Sequence, residues 1–354
     1  MRVGDAKQIA GKWVREQGSA SAGFVGAFFH GSVNWQVDDA LLPETSDLDV
    51  MLVLEDDAEA AKPGKFVYEG VLLEGSLLYA SAVASPEQVL AQYNLAGSFH
   101  VPSVILDPTG HLTRLQAAVS TQYTRRRWVR ARCRQALLKA ETGLLKHDPS
   151  APFHEQVTAW LFPTGVMTHV LLVAGLKNPT VRKRYAAAHD LLDEYGHPDY
   201  YVALRSLLGC EEWTQSQAFR HVDALASAFD TAATIVRPTF PYAADISRLA
   251  RPVAIDGSRD LVEAGRQREA VFWIVATFSR CMHIFEHDAP AEMQPEVYTH
   301  TEAYRRLLHD LGIAVPADLR RRADQATAML PGLWAMAEDI MAHNPDIEED
   351  EPDG

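Results

Sequence analysis

The sequence is poor in cysteine, and this shortage excludes two classes of small, cross-linked protein. Its three cysteines, Cys133, Cys210 and Cys281, are odd in number, far apart and without C-x-x-C spacing. Neither a disulfide framework nor a zinc knuckle can be built from them. We therefore expect a protein of the reducing cytoplasm.

The sequence also lacks a long apolar run. Its two most apolar windows, 165–176 and 270–279, fall short of the roughly 18 residues that a spanning helix needs, so we expect two buried core helices. Arg2, Asp5 and Lys7 precede any apolar stretch, which is not the order of a secretory signal. The sequence thus predicts no membrane span and no export by that route.

Positive charge is scarce as well. Lys and Arg total 33 against 47 Asp and Glu, which gives a net charge of −14. Such a surface repels a phosphate backbone, so nucleic acid is a poor partner, whereas a cationic small molecule is attracted. The sequence does not indicate an oligomeric state.

What remains is a globular composition on a chain long enough for two domains. The 354 residues are 47% hydrophobic and 23% charged. Apolar runs predict about four strands and one intervening helix, the strands at 24–29, 48–54, 66–79 and 101–106 and the helix at 86–96. We predict a small mixed α/β domain at 1–110, including a short N-terminal helix.

From residue 112 onward the apolar residues follow helical spacing. Stop signals divide this region into predicted helices near 112–146, 153–176, 180–195, 197–208, 214–236, 259–287, 297–312 and 316–343. Pro163 should kink or divide the second of these. The predicted fold class is α+β, with a larger all-helical bundle domain at 111–343 and an acidic tail at 344–354 that we expect to be disordered.

Two short motifs carry residues suited to metal and phosphate chemistry. Alternate residues of a strand point to one side, so Asp47 and Asp49 present two carboxylates to one face while Leu48 and Val50 enter the core. Two like charges so close favour a divalent cation, and Mg²⁺ prefers carboxylates together with phosphate oxygens. Gly31 lets the backbone approach a ligand, and Ser32 offers a hydroxyl and an N–H where anions are favoured. The pattern predicts a metal–nucleotide site.

A third carboxylate is expected on the following strand. Glu74 stands alone in the apolar run 71–78, which is costly unless it faces the same metal or reacting group. Glu69 lies five residues before Glu74 and would point to the opposite face of one strand, so only one of the two can face the metal. Glu74 is the preferred candidate, and Glu69 remains the alternative.

The motifs His-Gly-Ser at 30–32 and Asp-Leu-Asp at 47–49, followed by Glu74, resemble those of the polymerase-β-like nucleotidyltransferases, in particular the aminoglycoside and other antibiotic nucleotidyltransferases. The resemblance implies that Asp47 and Asp49 bind Mg²⁺, that the Gly-Ser turn holds the nucleotide phosphates, and that Glu74 completes the metal site or deprotonates the acceptor hydroxyl. It covers roughly the first third of the chain. A following helical domain is the usual arrangement in that family.

The implied reaction is transfer of a nucleoside monophosphate, in the simplest case AMP from ATP, to a hydroxyl of a small molecule such as an aminoglycoside-like antibiotic. The interval from Ser32 to Asp47 is longer than the common pattern, and Val33-Asn34-Trp35 contains no Arg where one is frequent. These departures leave the base and phosphate contacts open, and the sequence does not identify the acceptor, the nucleobase or the number of metals. The alternatives are a toxin-type enzyme that modifies tRNA or protein, and a non-catalytic nucleotide-binding relic.

Three cations in the helical region are candidate triphosphate ligands. Arg182, Lys183 and Arg184 follow an Asn-Pro-Thr sequence that predicts a helix start. Positive charge is disfavoured there by the helix dipole, and an anion would relieve the conflict. The alternative is a solvated basic turn that pairs with Asp190 or Asp193.

The remaining charged and histidine-containing patterns have ordinary interpretations. The arginine-rich segment 125–134 is a similar candidate clamp or an exposed or interdomain helix face. Arg-to-His spacings at 184–189 and 280–287 match RNA-cleaving helical toxins at a frequency expected by chance. His283 and His287 lie one helical turn apart but lack an H-E-x-x-H pattern and a third ligand, so we interpret them as ordinary histidines.

Overall fold

The chain forms two compact units that are interleaved in the sequence. A computed structural model describes residues 1–146 and 148–350. Unit 1 comprises three segments, Met1–Gln135, Val173–Thr180 and the chain from Glu338 onward. Unit 2 comprises the two segments between them, Ala136–Leu172 and Val181–Ala337. The predicted α+β class is confirmed, with a small mixed sheet in the N-terminal part and a helical region after it.

Unit 1 contains a five-stranded sheet. Its strands are β1 (Phe24–His30), β2 (Leu48–Leu54), β3 (Gly64–Tyr68), β4 (Val71–Tyr79) and β5 (Val104–Leu106). The order is β3-β4-β2-β1-β5; β2 and β4 are parallel and the other neighbours are antiparallel. The prediction of about four strands was wrong because the run 66–79 is two strands. Glu69 and Gly70 join them in a tight turn with φ of 45° and 82°.

The helices of unit 1 cover both faces of this sheet. Along β2, Leu48, Val50, Leu52 and Leu54 alternate toward the core formed with α1 (Val3–Glu16). Val53 packs on the opposite face, into a core with α2 (Pro86–Leu90), α3 (Ala96–His100) and α4 (His111–Gln122). Asp49 has the same parity as Val53 and therefore lies on the α2–α4 face.

The remaining helices are α5 (Arg126–Leu145), α6 (Phe153–Ala174), α7 (Arg184–Glu194), α8 (Pro198–Ser206), α9 (Gln215–Ile235), α10 (Gly257–Glu263), α11 (Gln267–Asp288), α12 (Gln294–Asp310) and α13 (Pro316–His343). Two predicted segments prove to be helix pairs. The segment 112–146 is broken after Gln122 into α4 and α5. The segment 259–287 is broken near Gly265, whose φ is 74°, into α10 and α11.

The two apolar windows lie in buried helices, as expected. The first belongs to α6, which runs unbroken through Pro163. By length and composition α6 could cross a membrane, with a mean hydropathy of 1.6, but 78% of its most apolar window is buried within the protein. The second window lies in α11, which packs against α9 and α10 in unit 2.

The acidic tail differs from the expectation of disorder over the residues that the structure describes, 344–350. Glu348 forms a β-bridge with Arg125. The Arg126 Nε donates to Glu349 Oε1 at 2.8 Å. The tail therefore lies within unit 1 because the arginine-rich start of α5 supplies partners that the tail composition alone lacks. Residues 351–354 of the predicted tail lie outside the described part of the chain.

Candidate metal centre

One row of paired residues crosses four strands of the sheet and carries most of the candidate site. His30 on β1 pairs with Asp49 on β2, Asp49 pairs with Glu74 on β4, and Glu74 pairs with Lys65 on β3. Directly paired residues of neighbouring strands direct their side chains to the same face. The register therefore places an imidazole, two carboxylates and an ammonium group side by side.

Asp47 joins this row from the residue before β2. It lies two positions from Asp49, so the two carboxylates share a face as the sequence predicts. One ligand oxygen from each of Asp47, Asp49 and Glu74 lies within 4.8 Å of the others. Mg²⁺ binds oxygens at about 2.1 Å, so a single ion fits a group of this size after small side-chain adjustments.

The structure groups Glu74, and not Glu69, with the two aspartates. Glu69 lies in the turn between β3 and β4 and pairs with Lys12, with Nζ to Oε1 at 2.5 Å. Its positive φ belongs to that hairpin turn. Of the two glutamates left open by parity, only Glu74 has its carboxylate in the group that could hold a metal among the described residues.

A lysine pair neutralises part of this acidic group. Lys65 donates to both Asp47 and Glu74, and its side chain is only 5% exposed. Lys62, at half exposure, donates to Glu74 Oε1 at 3.1 Å. Sequence reasoning missed both lysines. Their positions just before and at the start of β3 indicate a role only once β3 and β4 are recognised as a hairpin.

The two strand carboxylates have opposite pKa shifts. Burial, followed by the charges of Asp47 and Glu74, raises the pKa of Asp49 well above its usual range. Burial also acts to raise the pKa of Glu74, but Lys65 and Lys62 outweigh it and the pKa is lowered. Asp49 is therefore the carboxyl of the pair that holds a proton more readily, and a metal ion would compete with that proton.

Gly31 provides the close approach that the sequence predicts. Its φ is 71°, and a Cβ built on it would overlap the carboxylate of Asp49. A side chain is excluded by both the backbone angle and the space. Ser32, exposed, begins a short 3₁₀ helix at Ser32–Trp35, next to the turn that touches the carboxylate.

His30 anchors the site to α3. Its Nδ1 lies 2.6 Å from the hydroxyl oxygen of Ser98. Burial lowers the pKa of His30 to about 4, so its ring is neutral at pH 7. The side chain of Asn34 donates to the carbonyl of Ser98 at 3.4 Å. These contacts hold the Gly31 turn and α3 together around Asp49.

The three predicted phosphate-binding cations belong to unit 2 around the start of α7. The predicted helix start near residue 180 was wrong: α7 begins at Arg184, with Lys183 as its N-cap residue. Arg182 lies in the preceding turn, against the backbone of Gly257. The three cations therefore do not share a first helical turn.

Arg184 packs inside unit 2. It is 2% exposed, its guanidinium lies 4.0 Å from the ring centre of Phe272, and its Nε donates to the carbonyl of Val181 at 2.8 Å. Asp190, the partner in the alternative interpretation, accepts a hydrogen bond from Arg266 at 2.7 Å. A nucleotide-binding role for Arg182, Lys183 and Arg184 stays a prediction.

Comparison with known proteins assigns no family to this geometry. No protein-family model and no curated protein matches the chain. The grouped side chains themselves are therefore the basis for inferring a function.

Proposed function

We propose that the chain is a Mg²⁺-dependent nucleotidyltransferase that transfers a nucleoside monophosphate, in the simplest case AMP from ATP, to a hydroxyl of a small acceptor and releases pyrophosphate. The observation that carries the proposal is the convergence of Asp47, Asp49 and Glu74, whose ligand atoms lie within 4.8 Å of one another. Oxygen-only donors of this kind suit Mg²⁺ with phosphate oxygens completing its coordination. Close packing of Gly31 on Asp49 supports the proposal, because it leaves the turn backbone next to the carboxylates.

Each residue of the site has a proposed task. Asp47 and Asp49 hold the metal, and Glu74 is its third ligand because its carboxylate lies in the same group. The chemistry that Mg²⁺ supplies in such a site is neutralisation of phosphate charge and alignment of an in-line displacement. Ser32 and the turn at Gly31 bind the phosphates through N–H and hydroxyl donors.

The charge of the chain bears on the acceptor. A net charge of −14 favours a cationic small molecule, such as an amino-bearing sugar, over an anionic polymer. We therefore propose an aminoglycoside-like acceptor in preference to tRNA.

Pyrophosphate release tests the proposal. Full-length protein is incubated with Mg²⁺, each of the common nucleoside triphosphates and a panel of hydroxyl-bearing acceptors. Asp49→Asn should reduce the rate at least about 100-fold, because a catalytic metal contributes several kcal/mol to transition-state stabilisation. The matched control Asp57→Asn alters an exposed carboxylate in the loop after β2 and should keep the rate. Equal rates for the two variants would exclude the carboxylate centre as the site of reaction.

One observation favours a non-catalytic alternative. Lys65 already places a positive charge between Asp47 and Glu74, as expected of a site that no longer needs a metal. A nucleotide-binding relic predicts a thermal shift with nucleotide but no pyrophosphate with any acceptor. Labelled nucleotide that appears on added tRNA or protein instead would reassign the acceptor.

A further inference from the structure

A second cluster of metal-binding side chains lies in unit 2. His154 and Glu155 are the second and third residues of α6, and His283 lies in the C-terminal part of α11. One ligand atom from each lies within 4.8 Å of the others. The sequence interpretation of His283 as an ordinary histidine assumed that no third ligand was near. The two additional candidates come from a helix far away in the sequence.

The spacing of two donors fits a tetrahedral ion. The Nδ1 of His283 lies 3.3 Å from Oε1 of Glu155. Two ligands bound at about 2.1 Å to a tetrahedral Zn²⁺ are about 3.4 Å apart. The ring of His154 meets that of His283 edge to face, with centroids 5.6 Å apart and an interplanar angle of 86°. A ring nitrogen of each histidine can therefore belong to one small group.

An independent observation is the buried Nε2 of His154. The residue is 8% exposed, and this nitrogen has no hydrogen-bond partner among the described residues. It lies 3.5 Å from Oε2 of Glu286, a carboxylate at the edge of the cluster. Buried side-chain nitrogens are normally satisfied by a partner, and a bound cation would supply one here.

Neighbouring groups orient the donors. His287 donates from Nδ1 to the carbonyl of His283 at 2.9 Å, and the two rings stack at 4.2 Å. Phe240 lies 5.1 Å from the His283 ring. Glu155 also lines a cavity of about 330 Å³.

We propose that His154, Glu155 and His283 bind one divalent transition-metal ion of the Zn²⁺ class. Two imidazoles and one carboxylate form a donor set that Zn²⁺ accepts, whereas Mg²⁺ prefers oxygen ligands only. The two candidate centres of the chain therefore differ in the metal that they select. Three protein ligands leave the fourth position of a tetrahedral ion to water or another ligand.

Titration of the full-length, tag-free protein with Co²⁺, in the presence of excess Mg²⁺, tests this site. Co²⁺ reports tetrahedral coordination by its visible absorption, and Zn²⁺ should displace it. We expect one equivalent bound. Glu155→Gln and His283→Ala should each weaken binding at least about tenfold, because even outer partners of metal ligands contribute about 10–100-fold to affinity.

Co²⁺ could also bind to a surface histidine or to the carboxylate centre, and two control variants test these two places. His309→Ala removes an exposed histidine of the same unit and should leave Co²⁺ binding unchanged, as should Asp49→Asn in the carboxylate centre. Glu155 is partly exposed, so Glu155→Gln keeps the test informative if His283→Ala fails to fold. Unchanged affinity in Glu155→Gln, no stoichiometric binding to the wild type, or loss of binding in Asp49→Asn would each overturn the proposal.

Discussion

Replacement of Lys65 by Met should destabilise the protein when Mg²⁺ is absent and make it more dependent on Mg²⁺ than the wild type. Met keeps much of the length of the side chain but removes the ammonium group that contacts Asp47 and Glu74. Lys65 is nearly buried, so the two carboxylates would face each other and Asp49 without that counter-charge. A divalent cation could then replace the missing charge.

The size of the effect follows from burial. Removal of one partner from a buried ion pair costs about 3–5 kcal/mol, and we expect the lower end because solvent still reaches both carboxylates. Their side chains are 18% and 16% exposed for Asp47 and Glu74. A loss of about 3 kcal/mol corresponds to about 6–12 °C in melting temperature for a unit of about 150–250 residues. Mg²⁺ at about 100 times its Kd would restore about 2.7 kcal/mol.

Thermal unfolding followed by circular dichroism, in EDTA and at saturating Mg²⁺, measures both effects. Lys62→Met is the matched control, since Lys62 also contacts Glu74 but its side chain is 49% exposed. That change should cost less than about 1 kcal/mol. Equal losses of stability in the two variants, or stabilisation of Lys65→Met by Mg²⁺ no greater than that of the wild type, would refute the prediction.

Three further predictions concern the same region. Gly31→Ala should unfold at lower temperature and lose nucleotide transfer, because the added methyl group overlaps Asp49. In the control Gly70→Ala the added methyl group meets nothing within 4 Å, so this change should cost only about 1–2 kcal/mol of backbone strain. Equal losses of melting temperature and activity in the two variants would contradict the prediction. Asp49→Asn should raise the melting temperature in EDTA at about pH 7–8 while removing the response to Mg²⁺. The pKa of Asp49 is raised, so the folded wild type binds the proton more tightly than the unfolded chain does, and its stability falls as pH rises from about 4 through the folded pKa. If the melting temperatures of variant and wild type change in parallel between about pH 5 and 8, this prediction is wrong. Glu69→Gln should leave Mg²⁺ affinity unchanged by calorimetry, and Glu74→Gln should weaken it about tenfold or more; the reverse result would place the third ligand in the hairpin turn.

The parts of the site that depend on local backbone periodicity could be predicted from the sequence. The two-residue period of a strand is strict, so Asp47 and Asp49 had to share a face once Leu48 and Val50 were assigned to the core. Both leucine and valine are buried, at 1% and 0% exposure. Gly31 could also be singled out from the sequence, because only a residue without Cβ allows a backbone turn to touch a neighbouring group.

The parts that depend on pairing between strands could not. Lys65 reaches Glu74 only because β3 folds back on β4 at Glu69 and Gly70. Read as one apolar strand, the same segment would place Lys65 and Glu74 nine residues apart with no contact. A register shift of one residue would reverse the face of every side chain, so a missed turn removes all information about cross-strand partners.

Contacts between helices far apart in the sequence could not be predicted either. Histidine spacing within α11 says nothing about His154 and Glu155, because helix packing, and not sequence distance, brings them to His283. The acidic tail shows the same limit from composition: Glu348 and Glu349 cannot form a core, yet arginines at the start of α5 bind them.

The interleaving of the two units has a practical consequence for any division of the chain. Both described ends of the polypeptide, from Met1 and to residue 350, belong to unit 1, and unit 2 is encoded between them. A stop codon after residue 135 would therefore yield a fragment that lacks Glu348, the β-bridge partner of Arg125, and the segment Val173–Thr180. Isolation of the sheet-containing unit 1 therefore calls for linkers that join its three segments, or for co-expressed fragments.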